Sequence, residues 1–271
     1  MSASRPSPDE IRDFLAFTER LCAAAARETL PRFRTALAVE DKGAGRVFDP
    51  VTAADRSAEI AQRALIEESY PSHGILGEEL GERPAQGPYE WTLDPVDGTR
   101  AFICGLPLWT TLIALSFEGR PILGVIDQPY LGERYLGGPE GALFRHASIH
   151  RPLKVRPCAR LAEAAISTTD VFLFDGAETG GFEQVRRAAR LARYGCDAYA
   201  YAMVAAGQLD LVIESGLQRW DVRALAPVVE GAGGVLTNWR GETAYDGGQV
   251  IAAGDPRTHA EALIALGRAA K

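Results

Sequence analysis

Asp94 and Asp97 stand three residues apart in Asp94-Pro95-Val96-Asp97-Gly98-Thr99, directly after the apolar run 91–93. A strand running out into a loop at this point leaves both carboxylates at its end. Pro95 restricts the backbone there, and Gly98 permits a tight turn. Two aspartates so placed can aim oxygens at one point, and hard cations such as Mg²⁺ take oxygen ligands of this kind. Taken alone, the same residues equally suit a strand-end Asx turn with solvated carboxylates. Three further acidic stations bear on the choice. Glu78-Glu79 follows a short run at 74–77, Asp55 closes Thr52-Ala53-Ala54-Asp55, and Asp221 follows Trp220 at the head of an apolar helix. Each has a plain alternative of its own. Asp55 and Asp221 are first-turn residues of the type a helix dipole favours, and the two glutamates are surface charges in a turn.

The elements that must carry these residues are legible from caps and periodicity. Ser7, Pro8 and Glu10 make a capping box with proline at the first helical position. Ile11, Phe14, Leu15, Thr18, Leu21 and Cys22 then follow at helical spacing. Residues 42–50 read as a loop rich in glycine and charge. A second helix starts near Thr52 with Asp55 in its first turn. Its predicted apolar face is Ile60, Ala61, Ala64 and Leu65, with Pro71 beyond its end. Strands are expected at 74–77, 91–93, 111–115 and 122–126, with a hairpin from 133–137 and 142–144. The second half alternates strand 165–168, helices 182–193 and 199–206, and strand 209–213. Helix 220–232 follows, stopped by Gly233-Gly234, then strands 235–237 and 250–252 and helix 259–268. No internal repeat or low-complexity tract is present. A soft boundary at Arg151-Pro152 divides an N-terminal α+β half, 1–152, which holds most of the acidic stations, from a C-terminal α/β half, 153–271, which holds Asp221.

Bulk properties narrow the function. The 271 residues are 46% hydrophobic and 24% charged, ordinary for a globular chain with a substantial core. The net charge of −7 and a pI near 5.3 give no basic footprint for nucleic acid. No apolar run approaches the roughly 20 residues of a membrane span. Cys22, Cys104, Cys158 and Cys196 are scattered, without zinc spacing or a C-x-x-C pair, which suits a reduced, cytoplasmic protein. The start, MSASRPSPDE, lacks the basic and apolar regions of a signal peptide. An acidic enzyme that handles a phosphate ester needs a positive element, from a basic pocket or from bound metal.

The acidic stations together resemble a known motif set. Val51-Thr52-Ala53-Ala54-Asp55, Gly77-Glu78-Glu79, the run 93–99 and Trp220-Asp221-Val222 are similar, in order and spacing, to the inositol monophosphatase family, over about 49–234. The resemblance implies a layered α/β/α/β sandwich, of α+β and α/β character. It implies metal ligation by Glu78, Asp94, Asp97, Asp221 and the carbonyl of Val96, with Asp55 near a weaker metal position. Two or three Mg²⁺ per site are implied, with Mn²⁺ able to substitute, and a homodimer. Within the family, the stretches 97–107, 194–201 and 225–234 resemble histidinol-phosphate phosphatases. Inositol phosphatases more often carry Asn-Phe and a His in the first of them.

That resemblance defines a mechanism to test. Glu78, Asp94, Asp97 and Asp221 sum to a formal charge of about −4, which repels an anionic ester until cations are present. Glu78 and Thr99 are expected to position the nucleophilic water, with Asp55 in support, and the amides of Gly98 and Thr99 to hold phosphate oxygens. Glu214, seven residues before Asp221, and Asp197, in a Gly-Cys-Asp segment, are the candidates to contact a substrate ammonium. His146 and His150 lack a third ligand and read as a solvated pair. Cys196 reads as structural. Arg186, Arg187, Arg190 and Arg193 form a solvated helix face, with a subunit contact or an anion site as lesser alternatives. The expected reaction is hydrolysis of L-histidinol phosphate, a small-molecule ester. The alternatives are an inositol, nucleotide or sugar phosphate within the same family, or a regulatory binding protein that keeps the fold without turnover.

Overall fold

Both N-terminal helices begin as their caps dictate. The computed structural model describes residues 5–36, 38–41 and 50–271 of the chain; the loop expected at 42–50 falls almost wholly outside them. Elements are numbered in chain order. In α1 (Pro8–Thr29), Ser7 Oγ accepts the Glu10 N–H at 3.3 Å while a Glu10 carboxylate oxygen accepts the Ser7 N–H at 2.8 Å. In α2 (Ala53–Ser69), Thr52 and Asp55 form the same reciprocal pair. The buried face of α1 is the predicted one, with Ile11, Phe14, Thr18, Leu21 and Cys22 inside. The buried face of α2 is not. Ile60 is 57% exposed and Ala64 points to solvent, whereas Asp55, Ala58, Glu59, Gln62 and Ile66 are buried. Polar residues occupy that face because tertiary partners meet them, although Gln62 Oε1 has none among the described residues. Gln62 donates to the Leu21 carbonyl of α1 at 3.5 Å, and Glu59 serves backbone N–H groups beside the site.

Two sheets organise the rest. The larger has eight strands in the order β10-β9-β8-β7-β6-β5-β3-β4. These are β3 (Gly74–Gly77), β4 (Gly81–Arg83), β5 (Tyr89–Asp97), β6 (Thr110–Phe117), β7 (Arg120–Gln128), β8 (Glu133–Gly138), β9 (Gly141–His146) and β10 (Ile149–Pro152). Only β3 and β5 run parallel; the other neighbours are antiparallel. The smaller sheet runs β12-β11-β13-β15-β14, built from β11 (Ala165–Thr168), β12 (Leu191–Tyr194), β13 (Leu211–Leu217), β14 (Val235–Thr237) and β15 (Gly248–Ala253). A small hairpin, β1 (Val39–Asp41) with β2 (Pro50–Thr52), leads into α2.

Three apolar clusters stack these elements into layers. The first joins α1 and α2 to one face of the large sheet through Phe14, Leu21, Ile66, Trp91 and Leu93. The second fills the space between the sheets with α5 (Asp197–Ala205) and α7 (Leu225–Gly231). The third covers the outer face of the small sheet with α4 (Ala177–Ala188) and α8 (Pro256–Leu266). The result is the expected layered α+β fold, with α4 and α8 as a further helical layer. Helix α7 lies close on the large sheet because Gly124 and Gly137 carry no Cβ. One on Gly124 would meet Ala224 Cα at 3.2 Å, and one on Gly137 would collide with the Pro227 backbone.

Two predicted helices end differently. The helix expected at 182–193 is α4, which stops at Ala188; residues 191–194 pair with β11 as an edge strand instead. Long-range pairing decided this, since no glycine or proline marks the break. The helix expected at 220–232 is split into α6 (Arg219–Val222) and α7. Pro227 has no N–H to give the carbonyl four residues back, at Arg223, and its ring crowds that carbonyl. Arg223 sits at the break, buried, and pairs with Glu90 and Thr92 of β5.

Candidate active site

In a regular strand, residues three apart face opposite sides, so Asp94 and Asp97 of β5 would diverge. They converge because β5 bulges. The pairing with β6 steps from Asp94↔Leu112 to Asp97↔Thr110, so the interval on β5 is one residue longer than on β6. Trp91 and Leu93 meanwhile stay in the α1–α2 core. The bulge is held by the Thr111 hydroxyl donating to the Pro95 carbonyl at 2.8 Å and by the Val96 N–H donating to Asp94 Oδ1 at 3.1 Å. Gly98 then takes a left-handed conformation, φ 80°, and opens α3 (Thr99–Ile103). Thr99 Oγ1 lies 3.0 Å from the Val96 carbonyl and 3.3 Å from Asp55 Oδ1. Asp55 lies at the start of α2, with its other oxygen engaged in the Thr52 cap.

The remaining acids arrive from other elements. Because β3 runs parallel to β5, Glu78 leaves its strand at the same edge, and its N–H donates to the Leu93 carbonyl at 3.2 Å. Asp221 comes from α6, where it also accepts the Gln218 N–H at 2.6 Å. Asp97 Oδ2 accepts the Ala198 N–H at 2.8 Å and so ties α5 to the loop. Carboxylate oxygens of Asp94, Asp97 and Asp221 all lie within 4.8 Å of one another. Burial, reinforced by the charges of Glu78, Asp97 and Asp221, pushes the Asp94 carboxyl well above the usual carboxylate range. Asp97 is pushed up likewise, by burial and then by Asp197 and Asp221, against the Ala198 N–H. An oxygen-only donor set, with Asp94 buried, Asp97 and Asp221 half-buried and all three mutually repelling, fits a hard divalent cation, which would offset that repulsion.

These residues line one cleft together with Val96, Gly98, Thr99, Asp197 and Glu214. Of the predicted site residues, Asp55 alone stands behind the wall, in contact through Thr99. Glu214 lies within β13 and is buried. Its carboxylate accepts from Thr169 N–H at 2.7 Å, Thr169 Oγ1 at 2.9 Å and Thr168 Oγ1 at 3.3 Å. Burial still raises it to about 8. Asp197 opens α5 at a positive φ of 44°, a strained position that Asp tolerates better than most residues. Burial raises it to about 6, opposed by Arg100. A Cβ on Gly98 would sit 3.2 Å from its carboxylate, so the two are packed against each other.

Several residues of the cleft had no signal in the sequence. Thr168 and Thr169 are ordinary strand-end threonines until the fold sets them against Glu214. The Tyr201 hydroxyl is buried beside the cleft with no hydrogen-bond partner among the described residues. Arg100 pairs with Asp170 across the cleft at 3.6 Å. His146 and His150 lie on adjacent strands of the β9–β10 hairpin, well outside this cleft. Burial raises the Cys196 thiol, in keeping with a structural role. Arg186 and Arg187 both pair with Glu183 on α4, whereas Arg190 and Arg193 lie past its end. No helix among the described residues is long and apolar enough to cross a membrane.

Comparison with known proteins gives a consistent picture. A profile described as the inositol monophosphatase family matches residues 10–270. A bifunctional chloroplast phosphatase of Arabidopsis thaliana, IMPL2, is 40% identical over 97% of this chain and 79% of its own. A histidinol-phosphatase of Chlorobaculum parvum is 34% identical, covering 91% of this chain and 94% of its own. The solved structure of an inositol monophosphatase from Zymomonas mobilis superposes with a TM-score of 0.85 at 38% identity, covering 97% of this chain and all of its own.

Proposed function

This chain belongs to the inositol monophosphatase family, and on that footing we propose that it is a Mg²⁺-dependent phosphate monoesterase whose physiological ester is L-histidinol phosphate. The observation that carries the reading is the pairing of two acidic groups in one cleft. Asp94, Asp97 and Asp221 bring carboxylate oxygens within 4.8 Å of one another, and Glu214 and Asp197 line the same cleft outside that cluster. The first set suits metal and phosphate. The second is surplus to that need and suits a substrate that carries its own positive charge.

Glu78, Asp94, Asp97, Asp221 and the Val96 carbonyl would hold the metal, which when bound lowers the pKa of a water and offsets charge on the phosphate and leaving group. The protein's own residues do the rest. The Thr99 hydroxyl donates to the Val96 carbonyl at 3.0 Å and more weakly to Asp55 Oδ1 at 3.3 Å, so its lone pairs can face a water on the cleft side. Glu78 orients that water from the other side. The amides of Gly98 and Thr99 hold phosphate oxygens. As the water oxygen bonds to phosphorus it gives up a proton to the Glu78 carboxylate, the ester P–O bond breaks, and the departing alkoxide takes up a proton from solvent water to leave as the alcohol.

Mg²⁺ as the physiological ion with Mn²⁺ as a substitute, a cytoplasmic homodimer, and functional halves divided at Arg151-Pro152 belong to the same proposal. The test is a comparison of kcat/KM, with Mg²⁺, on histidinol phosphate, myo-inositol 1-phosphate, fructose 1,6-bisphosphate and 3′-phosphoadenosine 5′-phosphate. Preference for the first is the expected result; preference for any other would reassign the substrate while keeping the reaction.

A further inference from the structure

Helix α2 presents Asp55 and Glu59 one turn apart on its buried face. Asp55 reaches Thr99. Glu59, wholly buried, reaches the other way. Its Oε2 accepts the N–H of Glu79 at 2.8 Å, and its Oε1 accepts the N–H of Leu80 at 3.1 Å. Arg63, one turn further along, donates to Glu59 Oε1 at 2.7 Å and also to the Gly81 carbonyl. All of these contacts close on the turn 78–80 between β3 and β4, whose first residue is Glu78. The fit leaves no slack. A Cβ on Gly77 would collide with the Glu59 carboxylate and come within 2.8 Å of the Arg63 guanidinium. On the opposite side, the Glu78 N–H is held by the Leu93 carbonyl.

A buried ion pair is a costly way to brace a hairpin, since apolar side chains of similar volume do so at no desolvation cost. What the pair adds is direction, in the form of hydrogen bonds to fixed backbone groups within three residues of Glu78. We propose that Glu59, gripped by Arg63, is a positioning residue for Glu78, and that α2 acts as a ruler setting the separation of Glu78 from Thr99. The inference rests on the reading of Glu78 as a metal ligand. Asp55 and Glu59 then hold, from one rigid helix, the two groups assigned to the nucleophilic water.

The test is Mn²⁺ binding to the full chain, followed by the paramagnetic resonance of free Mn²⁺, alongside thermal melting. Glu59→Gln keeps the shape but loses the charge and one acceptor oxygen. It should weaken Mn²⁺ binding about tenfold, the usual scale for a group that orients a metal ligand. It should lower kcat while changing the KM for the ester little. Ile66→Ala removes core volume from the same helix face and should lower the melting temperature without moving the Mn²⁺ midpoint. A folded Glu59→Gln protein with wild-type Mn²⁺ affinity overturns the proposal, as does an equal Mn²⁺ effect from Ile66→Ala. Glu78→Gln, run in parallel, separates the two levels. If it too binds Mn²⁺ normally, the assignment of Glu78 fails and takes the proposal with it; if only Glu59→Gln is silent, the positioning role alone fails. Should Glu59→Gln not fold, Arg63→Lys must weaken Mn²⁺ binding in smaller measure, and wild-type binding in that variant overturns the proposal equally.

Discussion

Replacing Glu214 by Gln separates substrate recognition from the metal machinery. The carboxylate is buried and accepts three hydrogen bonds from Thr168 and Thr169. A Gln side chain keeps one acceptor for Thr169, and the Thr168 hydroxyl can rotate to accept from the new amide, so the fold should lose little. What disappears is the charge. A charge-assisted contact to a desolvated ammonium is worth about 1.5–3 kcal/mol, roughly 10- to 150-fold in kcat/KM. That loss should fall on histidinol phosphate, whereas p-nitrophenyl phosphate, which has no ammonium, should change far less. The pH dependence gives a second reading of the same group. Burial raises Glu214 to about 8, so the ionised form is the minority at neutral pH. Ionising it to receive a cation costs about 1.4 kcal/mol for each unit below 8. In the wild type, kcat/KM for histidinol phosphate should therefore climb with pH through about 8 and level off above it, relative to p-nitrophenyl phosphate, and Glu214→Gln should flatten that climb. Equal losses on the two esters, or a climb that survives the substitution, would refute the assignment.

Asp94→Asn should cut kcat by several orders of magnitude, yet leave the metal-free protein no less stable by urea denaturation. Burial and three neighbouring carboxylates already oppose the charge it removes. Exhaustive chelation should abolish turnover and Mg²⁺ restore it, with Ca²⁺ a poor substitute because its coordination is larger and looser; activity that survives chelation would sink the metal mechanism. His73 is neutral in the fold, where burial lowers it to about 4 and Trp91 Nε1 donates to its Nδ1 at 3.1 Å. The folded value lies below the unfolded one, so this contribution is complete above about 6.5 and is lost as pH falls toward 4, by at most about 3 kcal/mol. Urea midpoints measured from pH 7 to pH 4 should show that slope, and His73→Gln should reduce it. Gly98→Ala should impair turnover sharply, because the position has φ 80° and its Cβ would press on Asp197 at 3.2 Å; near-normal kcat/KM in a folded variant would show that the loop tolerates a side chain there.

The sequence by itself determined whatever depends on neighbours a few residues apart. The reciprocal caps of Ser7 with Glu10 and Thr52 with Asp55 and the short runs at 74–77 and 165–168 follow from local chemistry; the strand expected to end at 93 instead carries Asp94 through Asp97 within β5. The expectation that Glu78, Asp94, Asp97 and Asp221 share one site came from the resemblance of the motif series to a family, not from local chemistry. Tertiary structure decided the rest. Whether Asp97 faces Asp94 depends on a bulge registered against β6. Which face of α2 is buried depends on partners that let Glu59 and Gln62 go inside, and hydropathy cannot anticipate a polar residue whose cost is met by a distant N–H or carbonyl. Thr168 and Thr169 reach Glu214 across about 45 positions of sequence, and Asp97 reaches the Ala198 amide across 101. Caps and turns are satisfied within one stretch of chain, so the stretch alone reveals them. A buried charge is satisfied only by the whole packed molecule, so its partners come into view only once the layers have closed.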